Sequence, residues 1–364
     1  MAQPAPRPGI LEVQAYVGGK AATAAGARAA KLSANESAIG PSPRAIEAYR
    51  GVAGELHRYP DGGAVRLRQA IGRRFNLDPE RVVCGAGSDE LIALLVRAYA
   101  GPGEEVIHTE HGFGMYRIAA LAAGAHAVAV PETARRADVD ALLAAVTSRT
   151  RIVFLANPNN PTGSYLSGTE LRRLRAGLPE HVLLVIDGAY AEFVDAEDYE
   201  SGLALAQEAA NVVATRTFSK LFGLAALRVG WLYGDPAVVD VVNRIRGPFN
   251  VATPAQAAAE AALADIDHQA AAKAHNDRWL PWLTAGIAAS GLVVWPSVGN
   301  FFLVDFPDEP GRDATAAATW LEGRGLIPRM MAAYGLPGSL RISVGSEEEN
   351  ERLVAALADF VARS

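Results

Sequence analysis

The stretch Asn211–Gly234 reads NVVATRTFSKLFGLAALRVGWLYG. Two apolar runs, VVAT and VGWLY, bracket a loop of small residues. Both runs are continuously apolar, rich in β-branched and aromatic side chains and too short for a helix, so each reads as a buried strand. The loop between them carries Lys220 and Arg228. A lysine at the end of a buried strand either snorkels to the surface or sits in a desolvated site where its pKa falls. In the second case it is a candidate for Schiff-base chemistry. An arginine near Ser219 favours a phosphate. The stretch alone leaves both readings open.

The same pattern repeats outward. RVVCGAG, EVIHTE, AHAVAVP, RIVFLANP and VLLVID read as strands, and helical runs such as SDELIALLVRAYA and MYRIAALAAG alternate with them. Continuously apolar strands predict an α/β architecture: a mostly parallel sheet covered by helices, spanning residues 45–250. Helix starts are marked by Ser42 before Pro43 and by a capping box, Ser167 with Glu170. Residues 251–364 differ. An Ala-rich helical segment precedes the strands GLVVWP, NFFLVDF and LRISVG, and the last helix opens with a second capping box, Ser346 with Glu349. This predicts a smaller α+β domain. Residues 1–44, rich in Ala, Gly and Pro, read as an arm that joins it.

Composition narrows the function classes. The chain has 364 residues, enough for two ordinary domains, and a net charge of −6. That charge offers no general affinity for nucleic acid or anionic membrane. The single cysteine, Cys84, permits neither an intrachain disulfide nor a Cys-based metal cluster, and reads as a small core residue. The N-terminus lacks a signal-peptide pattern, and no apolar run approaches the ~18 residues of a membrane span. A cytoplasmic protein is expected, with small-molecule partners and no metal.

Ligands of α/β sheets bind beyond the carboxyl ends of the strands. After RVVC comes GAGSDE, where glycines lead into a helix N-terminus. That is either a plain turn or an anion site. After RIVFLA comes NPNNPTG, a tight loop that holds Asn160 as a rigid donor. After VLLVI comes Asp187, either a helix N-cap or a partner for a protonated ring nitrogen, with Tyr190 as a nearby phenol. Phe113, in HGFGMYR, offers a flat face to a ring. An aldehyde-capturing lysine, a phosphate cradle and an acid beside a pyridine nitrogen are together the demands of pyridoxal 5′-phosphate.

The motifs KLSANESAIGPSP, YPDGG, GAGSDE, NPNNPTG, DGAY, FSKLFGLAALRVG and LRISVGSEEEN run from Lys31 to Asn350. On them the chain resembles the fold-type I, pyridoxal-phosphate-dependent aminotransferases. The arm PRPGILEVQAYVGGK and the pairing of MAAYGLP with LRISVG are most similar to the histidinol-phosphate aminotransferases among them. The resemblance implies exchange of an amino group between histidinol phosphate and 2-oxoglutarate. Lys220 would bond the cofactor aldehyde and carry the proton, and Asp187 would pair with the ring nitrogen. Asn160 and Tyr190 would hold the ring oxygen, and Phe113 would stack on the ring. Ser88, Asp89, Ser219 and Arg228 would bind the phosphate, joined by Tyr59 from the other subunit of a homodimer. Arg341, Arg329, Tyr16 and Asn35 would meet the substrate. Three departures fall near the site. Gly188 follows Asp187 where the family often has an acid, Ala15 replaces a proline before Tyr16, and the arm motif lacks its usual proline. An aromatic amino-acid aminotransferase and a phospho-amino-acid decarboxylase are alternatives on the same scaffold. A cofactor-sensing regulator would need a DNA-binding segment, and the arm is too short to supply one.

Overall fold

The structure, a computed structural model, describes residues 5–7, 9–13 and 29–363. Its thirteen strands form three sheets. In chain order they are β1 (Ala30–Lys31), β2 (Val82–Gly85), β3 (Glu105–Thr109), β4 (His126–Val130), β5 (Thr150–Ala156), β6 (Leu183–Asp187) and β7 (Val212–Thr217). They continue with β8 (Gly230–Tyr233), β9 (Val293–Val294), β10 (Phe301–Asp305), β11 (Leu326–Ile327), β12 (Arg329–Met330) and β13 (Ser339–Ser343).

Seven strands make the large sheet, in the order β2-β8-β7-β6-β5-β3-β4. The apolar runs are continuous because both faces are buried. Side chains alternate across a strand, so Leu184 and Ile186 enter one core while Leu183 and Val185 enter the other. Cys84 belongs to the first core, and burial pushes its thiol up to about 12, which leaves it unreactive.

Among these strands β8 alone runs against the rest, antiparallel to both β7 and β2. The cause lies in the loop between the two apolar runs. A parallel return needs a crossover, usually a helix. Residues 218–229 hold only a 3₁₀ turn, Ala225–Leu227, so the chain doubles back instead. Arg228 ends that turn in the left-handed region, with φ 49°. The reversal keeps Lys220 and Arg228 on the edge where the parallel strands end.

A second sheet, β12-β13-β10-β9, is antiparallel. One face packs on the helices Ala314–Glu322, Glu347–Ala362 and Ile266–Ala288 through Phe302, Val304, Leu340 and Ile342. The intervening residues, Phe301, Arg341 and Ser343, point the opposite way. The arm returns as β1, which pairs in parallel with β11 and so delivers residues 33–36 beneath this sheet. Both capping boxes form, at Ser167 with Glu170 and at Ser346 with Glu349. Among the described residues no helix is long and apolar enough to cross a membrane.

Candidate active site

A cavity of about 230 Å³ lies where the large sheet's strand ends meet the arm and the second sheet. Its walls include Lys220, Asp187, Asn160, Tyr190, Phe113, Ser88, Asp89, Ser219 and Arg228. Asn35 and Arg341 close it from the other side.

Lys220 lies just past the end of β7, after Phe218 and Ser219. Its Nζ donates to the Ala34 carbonyl at 3.1 Å and lies 5.5 Å from the Tyr190 ring centroid. Burial is the main reason its pKa drops to about 7, and the neighbouring cations Arg341 and Arg228 act in the same direction. Near neutrality a large share of this amine is therefore unprotonated and nucleophilic.

An anion cradle stands beside it. The helix Ser88–Tyr99 presents its N-terminus to the cavity, with Ser88 buried. Arg228 donates to Ser219 Oγ at 3.2 Å and to Asp89 Oδ2 at 3.0 Å. Thr217 Oγ1 also donates to Ser219 Oγ, at 3.0 Å. With two incoming donors, the Ser219 hydroxyl keeps its own proton for an acceptor in the cavity. Gly87 makes this packing possible. A Cβ there would fall 2.3 Å from Arg228 Nη2, and its φ of +85° suits glycine alone.

Asp187 ends β6 and is 4 % exposed. Tyr116 Oη donates to its Oδ2 at 2.8 Å and Thr215 Oγ1 to its Oδ1 at 3.1 Å. Burial holds the carboxyl above the ordinary carboxylate range, while the two hydroxyls oppose that shift. The sequence reading missed both partners. Thr215 and Thr217 alternate as polar residues within an apolar strand, a pattern that could have marked one face of β7 as lining a site. Tyr116 stacks on Phe154, 4.5 Å between centroids, and meets Phe113 edge-on at 5.8 Å.

On the opposite wall, Asn160 Oδ1 accepts from Arg341 Nη1, and Arg341 Nη2 donates to the Ser33 carbonyl at 2.7 Å. The amide nitrogen of Asn160 is thereby turned away from the arginine. The Tyr190 hydroxyl accepts from Asn35 Nδ2 at 2.9 Å. Burial raises that phenol to about 12, against the pull of Arg341 and Asn35.

Two expected residues lie elsewhere, and a third is not among the described residues. Tyr59 is 82 % exposed and stacks on Phe249 with 4.6 Å between centroids, outside the cavity of its own chain. Arg329 sits on β12 in register with Arg341 but does not line the cavity. Tyr16 falls outside the described residues.

The model of the family "Aminotransferase class I and II" matches residues 28–357. The chain belongs to the class I and II aminotransferases. It is 57 % identical over 361 residues to a histidinol-phosphate aminotransferase of Paramagnetospirillum magneticum, covering 99 % of each chain. A histidinol-phosphate aminotransferase of Rhodospirillum centenum is 56 % identical, again over 99 % of each chain. The crystal structure of histidinol-phosphate aminotransferase from Sinorhizobium meliloti in complex with pyridoxal-5′-phosphate superposes with a TM-score of 0.84. It is 33 % identical, over 91 % of this chain and 90 % of that one.

In this aminotransferase the glycine after the strand-end acid has a local cause. A Cβ on Gly188 would lie 1.7 Å from Arg216 Nη1. The buried guanidinium fills that space, donating to the carbonyls of Thr215 at 3.1 Å and Ser201 at 2.9 Å, with Glu192 beside its Nε at 3.5 Å. A buried arginine stands where a side chain at residue 188 would otherwise sit.

Proposed function

We propose that the chain is a pyridoxal-phosphate-dependent aminotransferase that moves an amino group from histidinol phosphate to 2-oxoglutarate. One observation carries the cofactor reading: a single cavity holds a lysine of lowered pKa, a buried carboxylate and an anion cradle. The donor set fits the group. The Ser88 helix end, Ser219 and Arg228 suit a phosphate. Asp187, already supplied with two hydroxyl donors, has no cation in direct contact among the described residues to offset its burial, and a protonated pyridine nitrogen would be one. Phe113 offers a ring face, while Asn160 and Tyr190 offer donors to the ring oxygen. When bound, the cofactor supplies an electron sink that acidifies the carbon bearing the substrate's amino group.

The chain's own residues do the rest. The unprotonated Lys220 amine would be the nucleophile toward the cofactor aldehyde and the base toward the substrate's proton. Its pKa near 7 suits both giving and taking a proton at neutral pH. Asp187 would face the ring nitrogen and fix the ring's orientation. Arg341 brings a positive charge to a buried wall, suited to a substrate's anionic group. A pre-formed arginine site binds a phosphate or carboxylate with charge-assisted hydrogen bonds.

The full-length likeness to histidinol-phosphate aminotransferases supports the substrate. The test compares kcat/KM for histidinol phosphate and for phenylalanine, with 2-oxoglutarate as acceptor. A pocket fitted to an imidazole should favour histidinol phosphate by roughly 100-fold or more, because polar groups that meet the imidazole are left unpaired by a phenyl ring. Equal values, or a preference for phenylalanine, would place the chain among the aromatic aminotransferases.

The chain is further proposed to act as a homodimer with shared sites. Tyr59 supports this, being an exposed aromatic stacked on Phe249, which is itself half-exposed. Mixing inactive Tyr59→Ala and Lys220→Ala variants under subunit exchange should restore part of the activity, since some hybrid sites hold both native residues. No recovery despite demonstrated exchange would argue for sites made by one chain.

A further inference from the structure

We propose that Ser343 and Asn35 are positioning residues that turn the Tyr190 hydroxyl proton into the cavity. The relay is buried throughout: Asn35 is 1 % exposed, Ser343 2 % and Tyr190 3 %. The backbone N–H of Asn35 donates to Ser343 Oγ at 2.8 Å. The serine has one proton of its own, and Asn35 Oδ1 lies 3.0 Å away to accept it. That fixes the amide. Its oxygen faces Ser343, so its nitrogen faces Tyr190, at 2.9 Å. An amide nitrogen only donates, so the tyrosine oxygen accepts here and its own proton is not consumed. Among the described residues Tyr190 Oη has no other hydrogen-bond partner.

The backbone holds the relay in place. Asn35 sits at φ 53°, a left-handed conformation that asparagine tolerates better than most residues. Its carbonyl accepts from Asn300 Nδ2 at 3.1 Å. Phe301 packs edge-on against the Tyr190 ring at 4.9 Å. The Tyr190 proton thus remains available to a ring oxygen in the cavity. Ser343 reaches it from β13, two residues along the same strand face as Arg341. The proposal rests on the reading that pyridoxal phosphate occupies the cavity.

The discriminating substitution is Asn35→Asp, nearly isosteric but acceptor-only. It would draw the Tyr190 proton away from the cavity. The readout is the pH midpoint of the bound cofactor's visible absorption band. A donor that shares the ring oxygen's negative charge weakens its hold on the proton of the adjacent lysine nitrogen. Losing that donor should raise the midpoint by about one unit, the size expected of one hydrogen bond to a charged group. Ser343→Ala, a smaller change, frees the amide to flip and should raise it in the same direction. In a Tyr190→Phe background Ser343→Ala should not move it, and Asn35→Asp should keep only the smaller shift that its added charge produces. Merely structural roles would lower cofactor affinity and melting temperature equally in both backgrounds. An unmoved midpoint in either folded variant, or an equal shift without the tyrosine hydroxyl, overturns the relay. If the unaltered protein shows no visible band with pyridoxal phosphate, the cofactor reading fails, and the relay with it.

Discussion

Lys220→Ala should lower kcat by ~10⁴-fold or more, since one residue supplies both nucleophile and base, and a positioned base alone contributes up to that factor. The visible absorption that the cofactor gains on bonding to the protein should vanish as well. Lys220→Arg is the informative companion. It keeps the positive charge and much of the stem, yet a guanidinium stays protonated at any working pH and cannot attack an aldehyde. It should be as inactive as the alanine variant. The pH dependence follows from burial. Lys220 drops to about 7 because its charged form is desolvated, with Arg341 and Arg228 adding to the effect. The reactive form is the neutral amine, so the rate at which apo protein captures pyridoxal phosphate should rise with pH and level off above about 7. An exposed lysine would still be gaining rate near its ordinary pKa of about 10.4. A capture rate that climbs steadily to that range, or substantial turnover by either variant, would contradict the role.

Asp187→Asn should cost ~10²–10³-fold in kcat, the range seen when a pre-organised electrostatic partner is removed. The geometry explains why so small a change is not conservative. Tyr116 and Thr215 each donate to a different carboxylate oxygen, at 2.8 and 3.1 Å. A carboxylate accepts at both positions. An amide has one acceptor and would turn its NH₂ toward a hydroxyl donor or toward a protonated ring nitrogen. It also lacks the charge that keeps that nitrogen protonated. Asp187→Glu keeps the charge but overfills a site that is 4 % exposed, and should rescue only part of the loss. If Asp187→Asn retains near-normal kcat, the carboxylate is a structural group satisfied by its two hydroxyls.

The sheet was readable because its strands are apolar on both faces, and the polar residues at their ends were readable because they interrupt those runs. Asp187 ends its strand, and Lys220 and Asn160 lie in the loops that follow theirs, so local sequence carried them into one cavity. Other features were not local. The reversal of β8 depends on what the 218–229 loop lacks, a crossover helix, and strand patterning does not report direction. Tyr116 reaches Asp187 from a helix 71 residues away, and Ser343 reaches Asn35 across 308 residues, so neither pairing leaves a trace in sequence spacing. Gly188 is a departure from the common pattern whose cause, the Arg216 guanidinium, comes from the neighbouring strand. Tyr116, Thr215 and Ser343, which act through another side chain, were therefore the ones sequence reading left out.

In the proposed amino-group exchange the protein itself carries the nitrogen between two substrates. The most direct measurement of this is the half-reaction. Purified protein loaded with pyridoxal phosphate is mixed with histidinol phosphate and no oxo acid, and the product is quantified per subunit. One equivalent of oxo product per subunit and no CO₂ should form, with the amino group retained until 2-oxoglutarate is added and glutamate appears. Product that forms only when both substrates are present, or release of CO₂ without retained nitrogen, would contradict it.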